Sequence, residues 1–198
     1  MKNVEEIKIM TLGNSSVGKT SIILKYIDNE FSVNYLSTLG IDFKQKKIKL
    51  KDGKEVNLRI FDTAGQEKFK SGSVGFIKKT DGIILMYDIS NSESFESTNN
   101  WLASIKEFGK EKLPVILVGN KCDLPDDERK ISFKEGKDKA DEFKTPFYET
   151  SCKEGKNINE VFENLIEDIL SRRNEKVIID NSILINNDKE RENCCLNI

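Results

Sequence analysis

Histidine is missing from all 198 residues of this chain. That removes Ser-His and Cys-His nucleophile pairs, imidazole metal ligands and the side chain that ordinarily titrates near neutral pH. Cysteine is scarce, and the four residues at 122, 152, 194 and 195 fit neither a disulfide scaffold nor a paired C-x-x-C zinc site. A reducing cytosol is the natural setting. Charge of one sign is not in excess either. The 32 Lys and Arg against 34 Asp and Glu give a formal net charge of −2, which supplies no overall attraction to nucleic acid. Apolar runs such as Ile83 to Tyr87 and Pro114 to Val118 are far shorter than a bilayer span, and Met1-Lys2-Asn3-Val4-Glu5-Glu6 is charged rather than signal-like. The sequence predicts a protein that is neither secreted nor membrane-spanning and that binds no DNA or RNA.

What is present is a phosphate cradle. Gly13-Asn14-Ser15-Ser16-Val17-Gly18-Lys19-Thr20 matches the spacing G-x-x-x-x-G-K-[ST], with a strand-like stretch through Ile7, Ile9 and Leu12 before it and helix-suited residues Ser21 to Tyr26 after it. Gly13 and Gly18 let the backbone turn so that N–H groups converge on phosphates, and the following helix adds its positive dipole end. Lys19 brings a point charge to the β and γ phosphates, and the Thr20 hydroxyl is placed to hold a Mg²⁺ that bridges them.

The rest of the pattern alternates strand and helix. Ile41 to Leu50 and Val56 to Phe61 read as strands joined by a hairpin turn at Asp52-Gly53, and Glu67 to Thr80 reads as a loose helix or loop. Strands follow at Gly82 to Ile89, Pro114 to Gly119 and Phe147 to Thr150, with helices at Ser92 to Phe108, Ser132 to Phe143 and Ile158 to Arg173. This alternation predicts an α/β fold, a mostly parallel sheet with helices on both faces and ligands at the strand C-terminal ends. At this length one domain, 1–173, is expected, followed by a flexible tail, 174–198.

Three further signals fall at strand ends. Asp62, in Asp62-Thr63-Ala64-Gly65-Gln66, lies where a second acidic group would reach the Mg²⁺ through water, across from Thr20. Asn120-Lys121-Cys122-Asp123 points to guanine, because the Asp123 carboxylate can accept from the N1–H and N2–H₂ donors of that base, whereas adenine offers no such pair. Asn120 and Lys121 would steady the loop and cover the base. After the last strand, a backbone N–H near Cys152 in Ser151-Cys152-Lys153 can donate to the guanine O6. A metabolic P-loop kinase or ATPase shares the cradle but has no use for Asn120 to Asp123. A nucleotide-locked binding module that does not turn over is a further alternative.

Gly13 to Thr20, Thr38, Asp62 to Gln66, Asn120 to Asp123 and Ser151 to Lys153 together resemble the five nucleotide motifs of the Ras superfamily of small GTPases, from about Ile7 to Ile169. Within it, Leu39 to Phe43, Asp62 to Phe69, Gly82 to Asp88 and the paired terminal cysteines are similar to the Rab branch. The resemblance implies the P-loop small G-protein fold on a six-stranded sheet and a GTP/GDP switch in vesicle trafficking that hydrolyses GTP. Another Ras-superfamily signalling GTPase is the alternative role.

By that resemblance Ser15, Ser16, Val17, Gly18, Lys19, Thr20 and Ser21 cradle the nucleotide, with Thr38 at the γ-phosphate, Gly65 in a loop that GTP orders and that also binds the nucleotide, and Phe31 against the guanine. The structural alternative for Phe31 is a core aromatic. Asn120, Lys121, Asp123, Ser151, Cys152 and Lys153 hold the base. Thr20, Thr38 and Asp62 serve Mg²⁺, and Gln66, Lys19 and Thr38 are the catalytic set. The implied partners of a monomer are an exchange factor, a GTPase-activating protein, a GDP-dissociation inhibitor and effectors. Departures from the Rab pattern are Phe61 where Trp is usual, Phe76-Ile77-Lys78-Lys79-Thr80 for Tyr-Tyr-Arg-Gly-Ala, and Cys152 for Ala.

The tail carries Arg172, Arg173, Lys176, Lys189 and Arg191 against Glu175, Asp180, Asp188, Glu190 and Glu192, so there is no polybasic patch. Stable membrane attachment without basic help needs two lipid chains, and Cys194 and Cys195 supply two thiols. Double geranylgeranylation is the Rab habit, and it implies a cytoplasmic protein that cycles to the cytosolic face of intracellular membranes.

Overall fold

The structure is a computed structural model that describes residues 5–31, 41–50, 52–63 and 75–175. Strand β1 is Glu5–Leu12, helix α1 Lys19–Asp28, β2 Ile41–Lys49, β3 Glu55–Thr63, β4 Gly82–Asp88, α2 Ser92–Phe108, β5 Val115–Asn120, α3 Phe133–Phe143 and β6 Phe147–Thr150. A last helix, α4, covers 158–175. The strands form one six-stranded sheet in the order β2-β3-β1-β4-β5-β6, in which only β2 runs antiparallel. This is the expected architecture.

Because helices cover both faces, successive residues of the central strands bury to opposite sides. Ile7 and Ile9 of β1, Ile84 and Met86 of β4, and Ile116 and Val118 of β5 pack with Ile22 and Tyr26 of α1 and with Val161, Phe162, Leu165 and Ile169 of α4. Met10, Leu12, Ile83, Leu85, Tyr87 and Leu117 face the other way, onto Phe95, Leu102 and Ile105 of α2 and Ala140 of α3. The central strands therefore read as continuous apolar runs rather than alternating ones.

Element ends follow local chemistry. Ser132, expected as the first helical residue, is instead the cap of α3: its hydroxyl accepts from Glu135 N while the Glu135 carboxylate accepts from Ser132 N. The Asn91 side chain accepts from Ser94 N and starts α2. In the β2–β3 hairpin Gly53 takes φ 85°, and Leu50 N donates to Lys54 O at 2.8 Å, as the Asp-Gly signal predicts. Strand β5 ends one residue late, on Asn120, which pairs in register with Asp88 and Thr150. Of the stretch 67–80, expected as a loose helix or loop, the described part is helical at 75–77. Helix α4 continues two residues beyond the expected domain end at 173.

The chain passes from β1 to β3 on one side of the sheet and to β4 on the other. That reversal at the C-terminal end of β1 is where doubly wound sheets open a crevice, and the loop from Gly13 starts there. Strand β2 enters at the same edge, since Ile41 pairs with Thr63.

Helices α1 and α4 meet through Tyr26 and Phe162, whose rings stack with centroids 3.8 Å apart and planes 10° from parallel. Phe162 is wholly buried. Phe162→Ala should lower the unfolding free energy by about 3–5 kcal/mol, the cost of a large cavity in a packed core. Urea titration should show this as a lower midpoint at an unchanged m-value; an unchanged midpoint would show that the ring pair does not hold the two helices.

Candidate functional site

The loop after β1 is shaped by two glycines in left-handed backbone. Gly13 (φ 141°) faces Met86 O, which a Cβ would meet at 2.2 Å, and Gly18 (φ 101°) faces Asn120 Nδ2, which a Cβ would meet at 2.1 Å. Neither position accepts a side chain. As the N-cap residue of α1, Gly18 has no side chain to satisfy the first-turn N–H groups. The N–H groups of the first helical turn point out of the helix start, the direction from which an anion is bound.

Lys19 is almost fully buried and donates to two carbonyls of its own loop, Gly13 O at 3.1 Å and Asn14 O at 2.7 Å. Burial lowers its pKa to about 8 against the upward pull of Asp62. Thr20 Oγ1 donates to Asp62 Oδ2 at 2.7 Å. Asp62 comes from the end of β3 and is buried, and the ends of β1 and β3 are locked together by Thr63 Oγ1 donating to Thr11 O (2.8 Å) and Thr11 Oγ1 donating to Phe61 O (3.3 Å).

A hydroxyl and one carboxylate side by side fit Mg²⁺, which is usually bound by one or two carboxylates plus substrate phosphates rather than by a protein cage. Among the described residues there is no cluster of three His, Cys, Asp or Glu of the kind that would make such a cage.

The second half of the site lies at the ends of β5 and β6. Asn120 Nδ2 donates to Val17 O at 2.9 Å, and Asn120 Oδ1 accepts from Thr150 Oγ1 at 3.0 Å and from the Cys152 thiol at 3.3 Å. The segment that follows β5 is thus tied to the loop after β1 through one amide. Burial pushes the Cys152 thiol up to about 12, which keeps its proton in place to donate. Lys121, in left-handed backbone at φ 71°, extends to Asp88 Oδ2 at 2.5 Å, while Asp88 Oδ1 is held by Ser90 N and Ser90 Oγ. Asp123 Oδ1 accepts from Ser151 Oγ at 2.6 Å, and Lys153 Nζ lies 3.9 Å from Asp123 Oδ2.

The structure therefore gathers Ser15 to Ser21, Asp62, Asn120, Lys121, Asp123 and Ser151 to Lys153 along one edge of the sheet. Phe31, just past α1, is 40% exposed, which rules out a core aromatic at this position. Thr38, Gly65 and Gln66, and the terminal Cys194 and Cys195, lie outside the described residues.

Sequence reasoning passed over Asn14. Its Oδ1 accepts from Trp101 Nε1 at 2.9 Å and its Nδ2 donates to Ser97 Oγ at 3.0 Å, pinning the loop to α2. An asparagine at an unrestricted loop position, 87 residues from its partner, carried no signal for this contact.

The family model described as Ras family matches residues 8–171 of this chain. The Ras-related protein Rab-3 of Caenorhabditis elegans is 45% identical over 86% of this chain and 77% of its own length. The Ras-related protein Rab-3D of Homo sapiens is 43% identical over the same shares. The Ras-related protein RabC of Dictyostelium discoideum is 38% identical over 95% of this chain and 96% of its own. With the phosphate loop, the paired Thr20 and Asp62, and the Asn120 to Asp123 segment on one sheet edge, these similarities place the chain in the Ras family of small GTPases, within its Rab branch.

Proposed function

We propose that this site reads guanine through Asp123 and holds the triphosphate with the loop Gly13 to Thr20, so that γ-phosphate loss changes what the surface offers to partners. As a Rab-type small GTPase, the chain binds guanine nucleotide, hydrolyses GTP to GDP and phosphate, and acts in vesicle trafficking. The observation that carries the specificity is the placement of Asp123: one oxygen is fixed by Ser151 at 2.6 Å, so the carboxylate presents a set orientation to the paired donors of guanine.

In this reading the N–H groups of Gly18 to Ser21 receive the phosphate oxygens. Lys19 gives up the carbonyls of Gly13 and Asn14 for the β and γ phosphates. Thr20 and Asp62, with Thr38, hold Mg²⁺. Mg²⁺ held by these residues would offset the negative charge that develops on the phosphate oxygens as the terminal bond breaks. Gln66 orients the attacking water, and Thr38 and Gly65 donate their backbone N–H groups to the γ-phosphate and report its loss by releasing their segments. Residues 21–37 contain no arginine, so no cationic finger is supplied in cis from that stretch. Unaided hydrolysis is slow, on the order of the 10⁻⁴ s⁻¹ of Ras-type enzymes, and an activating protein that supplies an arginine accelerates it.

A nucleotide competition assay with single-turnover hydrolysis tests this reading. GTP and GDP should displace a bound guanine nucleotide far better than ATP, and Asp123→Asn should move the preference toward xanthine nucleotides, whose C2 carbonyl needs a donor. Gln66→Leu should keep binding and lose the stimulated rate. Equal competition by ATP and GTP would remove guanine as the ligand.

Lys19 supplies a pH signature. Its pKa of about 8 is set by burial, and an adjacent polyphosphate favours the charged form and raises it. Below pH 7 the lysine is already protonated and affinity does not depend on this group. As pH rises through 8, binding must take up a proton, so the GDP dissociation constant should weaken about fourfold between pH 7.0 and 8.5. Calorimetry in buffers of different ionisation enthalpy should show that uptake at pH 8.5, and heats that are the same in every buffer would exclude it.

Attachment of the tail to the cytosolic face of membranes is assigned to lipids on Cys194 and Cys195, which together avoid the ready reversal of single-chain binding. Among the described residues no helix is long and apolar enough to cross a membrane. Mass spectrometry of the C-terminal peptide from native cells should find both thiols modified, and a Cys194→Ser, Cys195→Ser double variant should leave the membrane fraction. An unmodified peptide would place the anchor elsewhere.

A further inference from the structure

At the end of the sheet opposite the nucleotide edge, the C-terminal turns of α2 and α3, the loops before β5 and β6, and the end of α4 enclose a groove of about 540 Å³. Its size is that of a site for a drug-sized ligand or a short peptide stretch. Leu102, Ile105, Leu113, Val115 and Phe143 make the floor. Five cationic side chains, Lys106, Lys110, Lys112, Lys144 and Arg172, face two carboxylates, Glu111 and Asp168. Arg172 is engaged by Asp168 at 2.6 Å and Lys110 by Asp81 at 2.9 Å, whereas Lys106, Lys112 and Lys144 are exposed around the mouth.

We propose that this groove is the docking site of the chain's own segment 177–188. The sequence there is Val177-Ile178-Ile179-Asp180-Asn181-Ser182-Ile183-Leu184-Ile185-Asn186-Asn187-Asp188, with six aliphatic side chains, two carboxylates and no cation. The apolar residues match the floor, and Asp180 and Asp188 match the lysine mouth. Leaving six aliphatic residues in water within nine positions is unfavourable, and a covered surface removes that cost.

Connectivity favours this occupant over any other. Arg172 forms part of the groove wall, and its guanidinium donates to Lys112 O at 2.7 Å, so α4 delivers the chain to the mouth itself. From 175 to Ile183 is eight residues, about 28 Å when extended, enough to turn back into the groove. A tethered segment also binds at high effective concentration, which makes a weak contact sufficient.

Hydrogen exchange followed by mass spectrometry on the full-length chain tests this. Amides of 177–185 should exchange at least about tenfold more slowly than in a variant carrying Lys106→Glu, Lys112→Glu and Lys144→Glu, and adding Asp180→Lys and Asp188→Lys to that variant should restore the protection. Unchanged protection of β1 and β4 in the same spectra verifies that each variant is folded. The inference fails if the segment exchanges at free-chain rates, if the rim variant leaves its protection intact, or if the charge swap does not restore it. Protection that rises with protein concentration would mean that a second copy fills the groove, and that outcome also overturns docking in cis.

Discussion

One amide couples the two halves of the site. Asn120 Nδ2 reaches Val17 O only because Gly18 has no Cβ, which would lie 2.1 Å from that nitrogen. The amide is itself oriented from behind by two donors, Thr150 Oγ1 and the Cys152 thiol. A buried amide with both ends satisfied is rigid, whereas one left with an unpaired end would cost about 1–3 kcal/mol. The loop after β1 and the ends of β5 and β6 therefore share a single fixed geometry, and a disturbance at either end is felt at the other.

The sheet makes that geometry available. Side chains that must converge come from residues far apart in sequence, and the parallel order of β3, β1, β4, β5 and β6 brings their C-terminal ends to one edge. Two apolar layers hold the strands in register, one against α1 and α4 and one against α2 and α3. Asn120, Lys121, Asp123 and Ser151 lie on or within three positions of the ends of β5 and β6 and share the stiffness of those strands.

Much of this was legible in the sequence because it is local. The Gly13 to Thr20 spacing, the Asp52-Gly53 turn and the periodicity of Ser92 to Phe108 each depend on residues close in the chain. What escaped is long-range and polar. Nothing near Asn14 announces Trp101 and Ser97, nothing near Asp88 announces Lys121, and the Cys152 thiol looks like a small exchange for alanine until its donation to Asn120 is seen. Strand ends were off by one residue where a polar residue both finishes a strand and serves the site, as at Asn120. Local periodicity cannot separate those two jobs.

The bond from Trp101 to Asn14 has an optical consequence. The chain contains a single tryptophan, and that indole is 4% exposed with its N–H donating to a residue of the phosphate loop. Its ultraviolet emission depends on that hydrogen bond and on the local field, and no second indole contributes background. The protein therefore carries one intrinsic fluorophore bonded to the loop after β1, so a rearrangement of that loop that alters this bond would alter the emission without an attached dye.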